Sequence, residues 1–389
     1  MEPSTAPGHS PRKPRVAVVF GGRSSEHGIS CLTAGSVLRA IDRERYDVLP
    51  VGITQDGRWV LESAEPSRLA ISGEARLPQV DDSAAPLVWA GGDRDAGAAE
   101  LVVQEPASVP QTLGEVDVVF PLLHGPWGED GTLQGFLEMA GVRYVGAGVL
   151  ASAVGMDKHY MKVVLQAAGL PVLPSVVIRP ERWKDDQAGC IESVQALGYP
   201  VFVKPCRGGS SIGISKVHDS SELGAAIEEA QRHDPKVLVE PAAVGGREVE
   251  CGVLERLDAR PEASQAAEIA VGGDHEFYDF AAKYLPEEHT AITVPADLPV
   301  EVADAVRALS VRAFEALSCE GLARVDFFVL PEQPGRTPEQ RLVINEINTM
   351  PGFTPTSMFP RIWAASGLDY PALVERLLQL ALHRSTGLR

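Results

Sequence analysis

The sequence predicts an α/β and α+β protein built from more than one domain. Three observations carry this. At 389 residues the chain is longer than one core usually supports. Over its first half, short β-branched runs alternate with helix-period segments. From Tyr199 onward, short strand-like runs joined by Gly-rich turns take over.

Taken in order, residues 1–14 are rich in Pro and polar side chains, without the apolar core of a signal peptide. They read as a disordered tail on a cytoplasmic protein. Val16–Phe20 is a buried strand ending at Gly21-Gly22, and Ser30–Ile41 after it is a helix. Residues 62–115, rich in Ala, Gly, Asp and Pro, read as an elaboration of the first domain. Val116–Leu123 is a second strand with another Gly-rich turn behind it. Gly146-Ala147-Gly148-Val149-Leu150-Ala151 loosely fits a dinucleotide-binding fingerprint. No acidic residue ends a strand about 20 residues on, where a ribose would need it, so a plain turn into a helix is expected. A further helix is predicted over Met156–Ala168, stopped by Gly169 and Pro171. The domain division that follows is 15–147, 148–243 and 244–389.

Composition excludes several classes. A net charge of −18 argues against non-specific nucleic-acid binding. Any anion site must therefore be built from locally placed Lys and Arg. No apolar stretch approaches the ~18 residues of a membrane span. Cys31, Cys190, Cys206, Cys251 and Cys319 form no metal-ligand pairs and read as reduced, buried thiols.

Two constellations carry chemistry. Gly208-Gly209-Ser210-Ser211-Ile212-Gly213 lies between the strands Val201–Lys204 and Ile214–Val217. A Walker loop would carry Gly-Lys-Ser/Thr and open a helix, and this loop does neither. A small-residue hairpin loop instead offers backbone N–H groups and hydroxyls to phosphate oxygens. Lys204 at the strand end adds a point charge. Taken alone, the loop fits a flexible surface hairpin equally well. The second constellation is a hairpin. Arg324, Asp326 and Phe328 share one face of a strand, and Glu346 and Asn348 share a face of the next. Two carboxylates and an amide oxygen form a hard-oxygen set suited to Mg²⁺ with nucleotide phosphates. The alternative is a salt bridge between Arg324 and Asp326.

At these residues the chain resembles a known family, the D-alanine–D-alanine ligases. Four motifs agree in order across nearly the whole chain. They are Gly21-Gly22-Arg23-Ser24-Ser25-Glu26-His27 and His124-Gly125-Pro126-Trp127-Gly128-Glu129-Asp130-Gly131. The third is the phosphate loop with Lys204. The fourth runs from Arg324-Val325-Asp326 to Asn345-Glu346-Ile347-Asn348-Thr349-Met350-Pro351-Gly352. The resemblance implies an ATP-grasp fold with an N-terminal doubly wound parallel-sheet domain. It also implies ATP held between the central and C-terminal domains, and D-alanine activated as an acyl phosphate for peptidoglycan precursor synthesis. Implied cofactors are ATP as substrate and two Mg²⁺, for which Mn²⁺ could substitute. Implied partners are D-alanine and a second copy in a homodimer, with no nucleic acid and no membrane.

The same resemblance implies residue roles. Glu26 would hold the first D-alanine's ammonium, although a helix N-terminal acid favouring the dipole is its alternative. His124 matches the active-site histidine, or is a hydrogen-bonded turn residue. Lys158, Lys204 and Lys283 would contact nucleotide phosphates, with Gly209, Ser210 and Ser211 from the loop. Glu240 and Glu248 resemble the adenine and ribose contacts, and Phe277 and Phe328 could flank the base. Asp326, Glu346 and Asn348 would hold the metal ions. Arg324 and the Gly352 N–H would stabilise the oxyanion. Ser357 and Met358 stand where the second substrate's carboxylate is held. Residues 274–295 look like the mobile active-site loop, in which Tyr284 joins Ser210 and Glu26 in a closing network. Tyr284 argues for a dipeptide over a D-lactate ester. Three departures stand out: Cys206 beside the phosphate loop, read as a packing change although alkylation there would impair ATP binding, one extra residue between Glu240 and Glu248, and a long 331–341 loop. The rivals are a D-Ala-D-Lac or D-Ala-D-Ser ligase, and a nucleotide-binding regulator that has lost the chemistry.

Overall fold

The computed structural model describes residues 12–71, 76–90, 98–104, 110–209, 212–271 and 290–386. The chain is tied down as soon as it is described. Arg12 bonds Asp117, and Lys13 Nζ donates to the Arg43 carbonyl.

The first sheet takes β1 (Arg15–Gly21), β2 (Asp47–Ile53) and β3 (Trp59–Leu61), with the helix α1 (His27–Ala40) crossing between the first two. Next come β4 (Leu87–Ala90), β5 (Ala99–Val103) and β6 (Gln111–Val116), a separate antiparallel sheet inside the Ala- and Gly-rich elaboration. The chain then returns through β7 (Val118–Pro121), α2 (Thr132–Ala140) and β8 (Arg143–Tyr144). The main order is β3-β2-β1-β7-β8. It is parallel throughout except for the antiparallel edge strand β3. Every residue of β1 from Val16 to Gly21 is buried. This explains its unbroken apolar run, because helices and the small sheet cover both of its faces. Val16, Val18 and Phe20 pack on α1, while Ala17 and Val19 meet Leu133 and Leu137 of α2 and Leu101 of β5.

The single strand expected over Val116–Leu123 is thus two. β6 ends in the small sheet and β7 begins in the main one, separated by Asp117. That carboxylate accepts from the Arg15 N–H at 2.6 Å and from Arg12, so it fixes the crossing. The helix expected over Met156–Ala168 is α4 (Lys158–Ala167), and a separate helix, α3 (Val149–Met156), runs directly before it. Asp157 between them is extended, and its carboxylate accepts from the N–H groups of His159 and Tyr160. An N-cap therefore restarts the helix. Gly148 precedes α3 as the plain turn expected there.

The second sheet holds β9 (Val176–Ile178), β10 (Val201–Pro205), β11 (Ser215–Val217) and β12 (Val237–Pro241). Its order is β11-β10-β12-β9, all antiparallel. It packs on α5 (Pro180–Asp185), α6 (Gln187–Gln195) and α7 (Leu223–Gln231) through Trp183, Cys190, Val194 and Ile227.

The third sheet is β15-β14-β13-β16-β17, from β13 (Arg247–Leu254), β14 (Glu262–Val271), β15 (Thr290–Thr293), β16 (Leu322–Val329) and β17 (Leu342–Asn348). One face, with Val249, Cys251, Val253, Val325 and Phe327, is sealed by α8 (Val300–Ala316) and by Met161 and Leu165 of α4. The other face meets α9 (Met358–Ala365). Gly252 is obligatory there, because a Cβ would lie 2.7 Å from the Trp363 indole nitrogen. The last helix, α10 (Tyr370–His383), turns back onto the first sheet, with Leu373 and Leu377 in the same core as Val16 and Phe20.

All five cysteines are free and buried, as expected. Among the described residues, no helix is long and apolar enough to cross a membrane.

Candidate active site

The strand face left open beside α9 is the charged one. Arg324 pairs with Asn348, and Asp326 with Glu346, across β16–β17, so strand alternation does bring the four groups together. The register shifts after Asp326, because Phe327 already opposes Ile344. The extra residue is Asn345, and its Oδ1 lies 3.4 Å from Lys204 Nζ. This bulge re-aims a side chain toward the second sheet.

Arg324 binds Asp326 with both arms, Nε to Oδ1 and Nη2 to Oδ2, each at 2.7 Å. The salt bridge held open as an alternative therefore forms, but in the interior: the side chains are 14% and 13% exposed. Glu250 of β13, in register with Asp326, adds a second carboxylate 3.0 Å from Arg324 Nε. Burial opposes the guanidinium charge, and Asp326 and then Glu250 outweigh it, so Arg324 stays protonated well beyond its usual range. Asn348 donates to Asp326 at 3.0 Å, and Lys158 Nζ lies 3.5 Å from Glu346. Among the described residues, no group of three or more His, Cys, Asp or Glu gathers as a metal site. Two carboxylates and one amide are an incomplete shell of hard oxygens. They fit Mg²⁺ that arrives already coordinated by phosphate, which commonly keeps only one or two protein carboxylates.

The second sheet supplies cations. β10 and β11 pair antiparallel, Val201 with Val217 and Val203 with Ser215, so the Gly-rich loop is the tip of a hairpin. Lys204 reaches Glu240 at 2.6 Å, and Lys162 of α4 reaches the other Glu240 oxygen at 2.7 Å. Glu240 is 2% exposed. Burial disfavours its charge, yet the two ammonium groups win and hold the carboxyl at about 2. Its carboxylate is thus engaged with lysines rather than facing open space. Lys158, the first residue of α4, donates to the Gly208 carbonyl at 2.9 Å, so two of the three expected phosphate lysines, Lys158 and Lys204, flank the loop. Glu248 stands opposite Phe328 on the same sheet face and acts electrostatically on Lys204.

The first sheet completes the site. Glu26 is the residue before α1, yet its side chain makes no capping bond. Its carboxylate lies beside Gly125 and Gly209, where a Cβ would come within 2.8 Å and 3.2 Å of Oε2. The reading as a mere helix-end acid is therefore the weaker one. Ser24 Oγ donates to the His124 carbonyl at 2.8 Å and fastens the two Gly-rich turns together. His124 is 5% exposed, with Nε2 buried and, among the described residues, without a hydrogen-bond partner. Burial lowers its pKa despite Glu26 nearby. The backbone of Met350 bonds both His124 and Glu129. Burial first, then Glu26, pushes the Glu129 carboxyl up to about 8.

Gly352 is placed by its neighbour. Phe353 is fully buried between Phe120 of β7 and Phe359 of α9, and Tyr370 donates to its carbonyl at 2.8 Å. Ser357 precedes α9, and its Oγ lies 3.3 Å from where a Gly352 Cβ would stand. The first N–H of that helix belongs to Met358, the expected carboxylate holder.

Glu26, His124, Lys158, Lys204, Gly209, Glu240, Glu248, Arg324, Asp326, Phe328, Glu346, Asn348, Gly352, Ser357 and Met358 thus line one region. Ser210, Ser211, Phe277, Lys283 and Tyr284, with positions 274–289 of the expected loop, lie outside the described residues. Cys206 sits in the interior, as its reading as a packing change requires. Its side chain is fully buried and its thiol is pushed up to about 12, chiefly by burial, so it resists alkylation. Four residues escaped the sequence reading: Glu250, Lys162, Glu129 and Asn345. The first two left a signal, because Glu250 follows Glu248 at strand spacing and Lys162 follows Lys158 at helix spacing.

Comparison with known proteins agrees with this geometry. The family model for the D-ala D-ala ligase N-terminus matches residues 15–147, and that for the D-ala D-ala ligase C-terminus matches residues 164–379. The D-alanine–D-alanine ligase of Streptomyces griseus is 59% identical over 385 residues, covering 97% of this chain and 95% of the relative. That of Mycobacterium sp. (strain KMS) is 54% identical over 382 residues, covering 97% and 99%. Among solved structures, the D-alanine–D-alanine ligase from Coxiella burnetii superposes with a TM-score of 0.77 at 35% identity, covering 96% of this chain and 95% of that one. The VanG D-Ala:D-Ser ligase from Enterococcus faecalis gives 0.79 at 34% identity, covering 95% and 100%. The chain belongs to the D-alanine–D-alanine ligase family and has its ATP-grasp fold.

Proposed function

We propose that this chain uses ATP to join two D-alanines into D-alanyl-D-alanine, releasing ADP and phosphate, for peptidoglycan precursor synthesis. The observation that carries the reading is the meeting of Glu26 and His124 with the phosphate loop and the Arg324 face. In this reading the divisions are 15–147, 148–243 and 244–389, with a homodimer in the cytoplasm supported by the family alone.

Lys158 and Lys204 hold the nucleotide phosphates, with Lys283 and the loop residues Gly209, Ser210 and Ser211. Glu240, Glu248, Phe277 and Phe328 receive adenine and ribose. Glu26 pairs with the first D-alanine's ammonium. The carboxylate of that D-alanine attacks the γ-phosphorus, so that the β–γ bond breaks and ADP leaves. A carboxylate is a poor electrophile, whereas the resulting acyl phosphate carries a good leaving group. Asp326, Glu346 and Asn348 would hold two Mg²⁺ ions, which when bound neutralise charge on the phosphates. The second D-alanine's carboxylate rests on Ser357 and the Met358 N–H at a helix N-terminus. Its amine, having given up a proton to bulk water, attacks the acyl carbon, and the proton left on the attached nitrogen departs with the phosphate. Arg324 and the Gly352 N–H stabilise the oxyanion, which collapses with loss of phosphate. Ser210 and Tyr284, with Glu26, keep water from the acyl phosphate.

The second substrate is the open choice, because one structural relative is a D-Ala:D-Ser ligase. Tyr284 supports D-alanine. Purified protein given ATP, Mg²⁺, D-alanine, D-serine and D-lactate near neutral pH should make mainly D-Ala-D-Ala, with no phosphate released on L-alanine. Mainly depsipeptide or D-Ala-D-Ser would overturn the choice of D-alanine for both positions.

A further inference from the structure

Asp326 faces two demands. In the proposed function its oxygens hold Mg²⁺, yet here both accept from Arg324 at 2.7 Å. The other metal carboxylate, Glu346, faces Lys158 at 3.5 Å. Each is therefore matched with a cation that the reaction requires elsewhere: Arg324 at the oxyanion, Lys158 at the phosphates. Lys158 has a destination in the arriving phosphate. Arg324 has one in Glu250, which lies one strand over, in register with Asp326, and already 3.0 Å from Nε. Glu250 is 9% exposed, so the exchange happens where an unmatched guanidinium would be strongly unfavourable.

We propose that Glu250 is a positioning residue that takes over Arg324 when the metal ion and nucleotide claim Asp326. Metal occupancy and readiness of the oxyanion site are thereby coupled through one guanidinium. Without Glu250, Arg324 stays on Asp326 and competes with the ion. The inference rests on the metal reading above and adds a residue to it.

The test is Mn²⁺ binding to the full-length enzyme–ADP complex, read by electron paramagnetic resonance. Glu250→Gln should weaken Mn²⁺ binding ~10-fold, because Arg324 then holds Asp326 alone. In an Arg324→Gln background the same change should alter binding by less than ~2-fold, because the effect runs through Arg324. Unchanged affinity in Glu250→Gln overturns the proposal. Equal weakening in both backgrounds overturns it too, and makes Glu250 a direct partner of the ion. Asp326→Asn separates the two layers. If it binds Mn²⁺ as tightly as the parent, the metal reading fails and the inference with it. If it loses Mn²⁺ while Glu250→Gln does not, only the positioning role fails. Should Glu250→Gln melt too low to assay, Glu250→Asp replaces it with the same expectation, because its shorter arm lengthens the Arg324 contact.

Discussion

Two buried charge clusters stand side by side in this molecule with opposite surplus. Among the described residues, Glu250, Asp326 and Glu346 of the third sheet outnumber the cations Arg324 and Lys158 that meet them. On the second, Lys162 and Lys204 outnumber Glu240. They touch through Asn345, whose bulge brings its oxygen to Lys204. Buried ion pairs contribute little net stability on their own account, because desolvation offsets the attraction. A surplus on each side makes sense only with a ligand between them. The anionic cluster suits a divalent cation and the cationic one suits phosphate. The opposite charges of a metal–nucleotide complex match the two clusters in turn. A net charge of −18 gives no such match by itself, so local placement of lysines decides the site.

The comparison breaks most sharply on the anionic side. Glu346→Ala removes half of the carboxylate pair assigned to the metal, and ATP-, Mg²⁺- and D-alanine-dependent phosphate release should fall by ~10³-fold or more. Glu346 is partly exposed and opposes Asp326 across a hairpin whose backbone pairing survives. Unfolding free energy should therefore move by about 1 kcal/mol or less. Full activity in this variant would remove Glu346 from the metal site.

The cationic side should break as a stability effect. Glu240→Gln leaves Lys162 and Lys204 buried without their counter-ion, and chemical denaturation should register a loss of about 3–5 kcal/mol. The pH dependence has a definite sign. The folded carboxyl sits at about 2, below its ordinary value, so its contribution is present at neutral pH. It is lost as pH falls from about 4.5 through 2. Glu240→Gln should flatten the acid limb of the stability curve, and an unchanged limb would show that Glu240 is not the group that titrates.

The two clusters also differ in how far they can be read from sequence. Arg324, Asp326, Glu346 and Asn348 are legible because a strand alternates its side chains, so one segment fixes what shares a face. Glu250 belongs to that same face only through the register of β13 with β16, over 70 residues away in the chain. Local periodicity cannot set that pairing. Lys162 fails for another reason: a lysine four residues after another on a helix is ordinary solvated surface until the fold covers it. The doubly covered β1 was legible from its unbroken apolar run. The split of Val116–Leu123 was not, because Asp117 breaks the strand by its partners rather than by its propensity. The return of α10 to the first sheet carries no local signal at all.

A smaller effect sharpens the contrast from a third position, between the clusters and the first sheet. Among the described residues, Glu129 is a carboxyl without a cation in contact: burial and then Glu26 raise it to about 8, opposed by backbone N–H groups of Gly125 and Met350, with Arg324 more distant. Its sign is therefore opposite to that of Glu240. The protonated form is the one that folding favours, so the stability it contributes is full below about 4.5 and is lost as pH rises through 8. Glu129→Gln keeps the shape and removes the titration. Between pH 5 and 9 the parent should lose about 1–2 kcal/mol relative to this variant, discounted because Glu129 is only partly covered. Thermal melting of both proteins across that range measures it, and parallel curves would mean that Glu129 keeps an ordinary carboxyl. The variant should still bind ADP with Mn²⁺ normally, because both charge clusters remain complete. A group raised by isolation and a group depressed by two lysines then mark the two limits of what burial does to a carboxylate in one site.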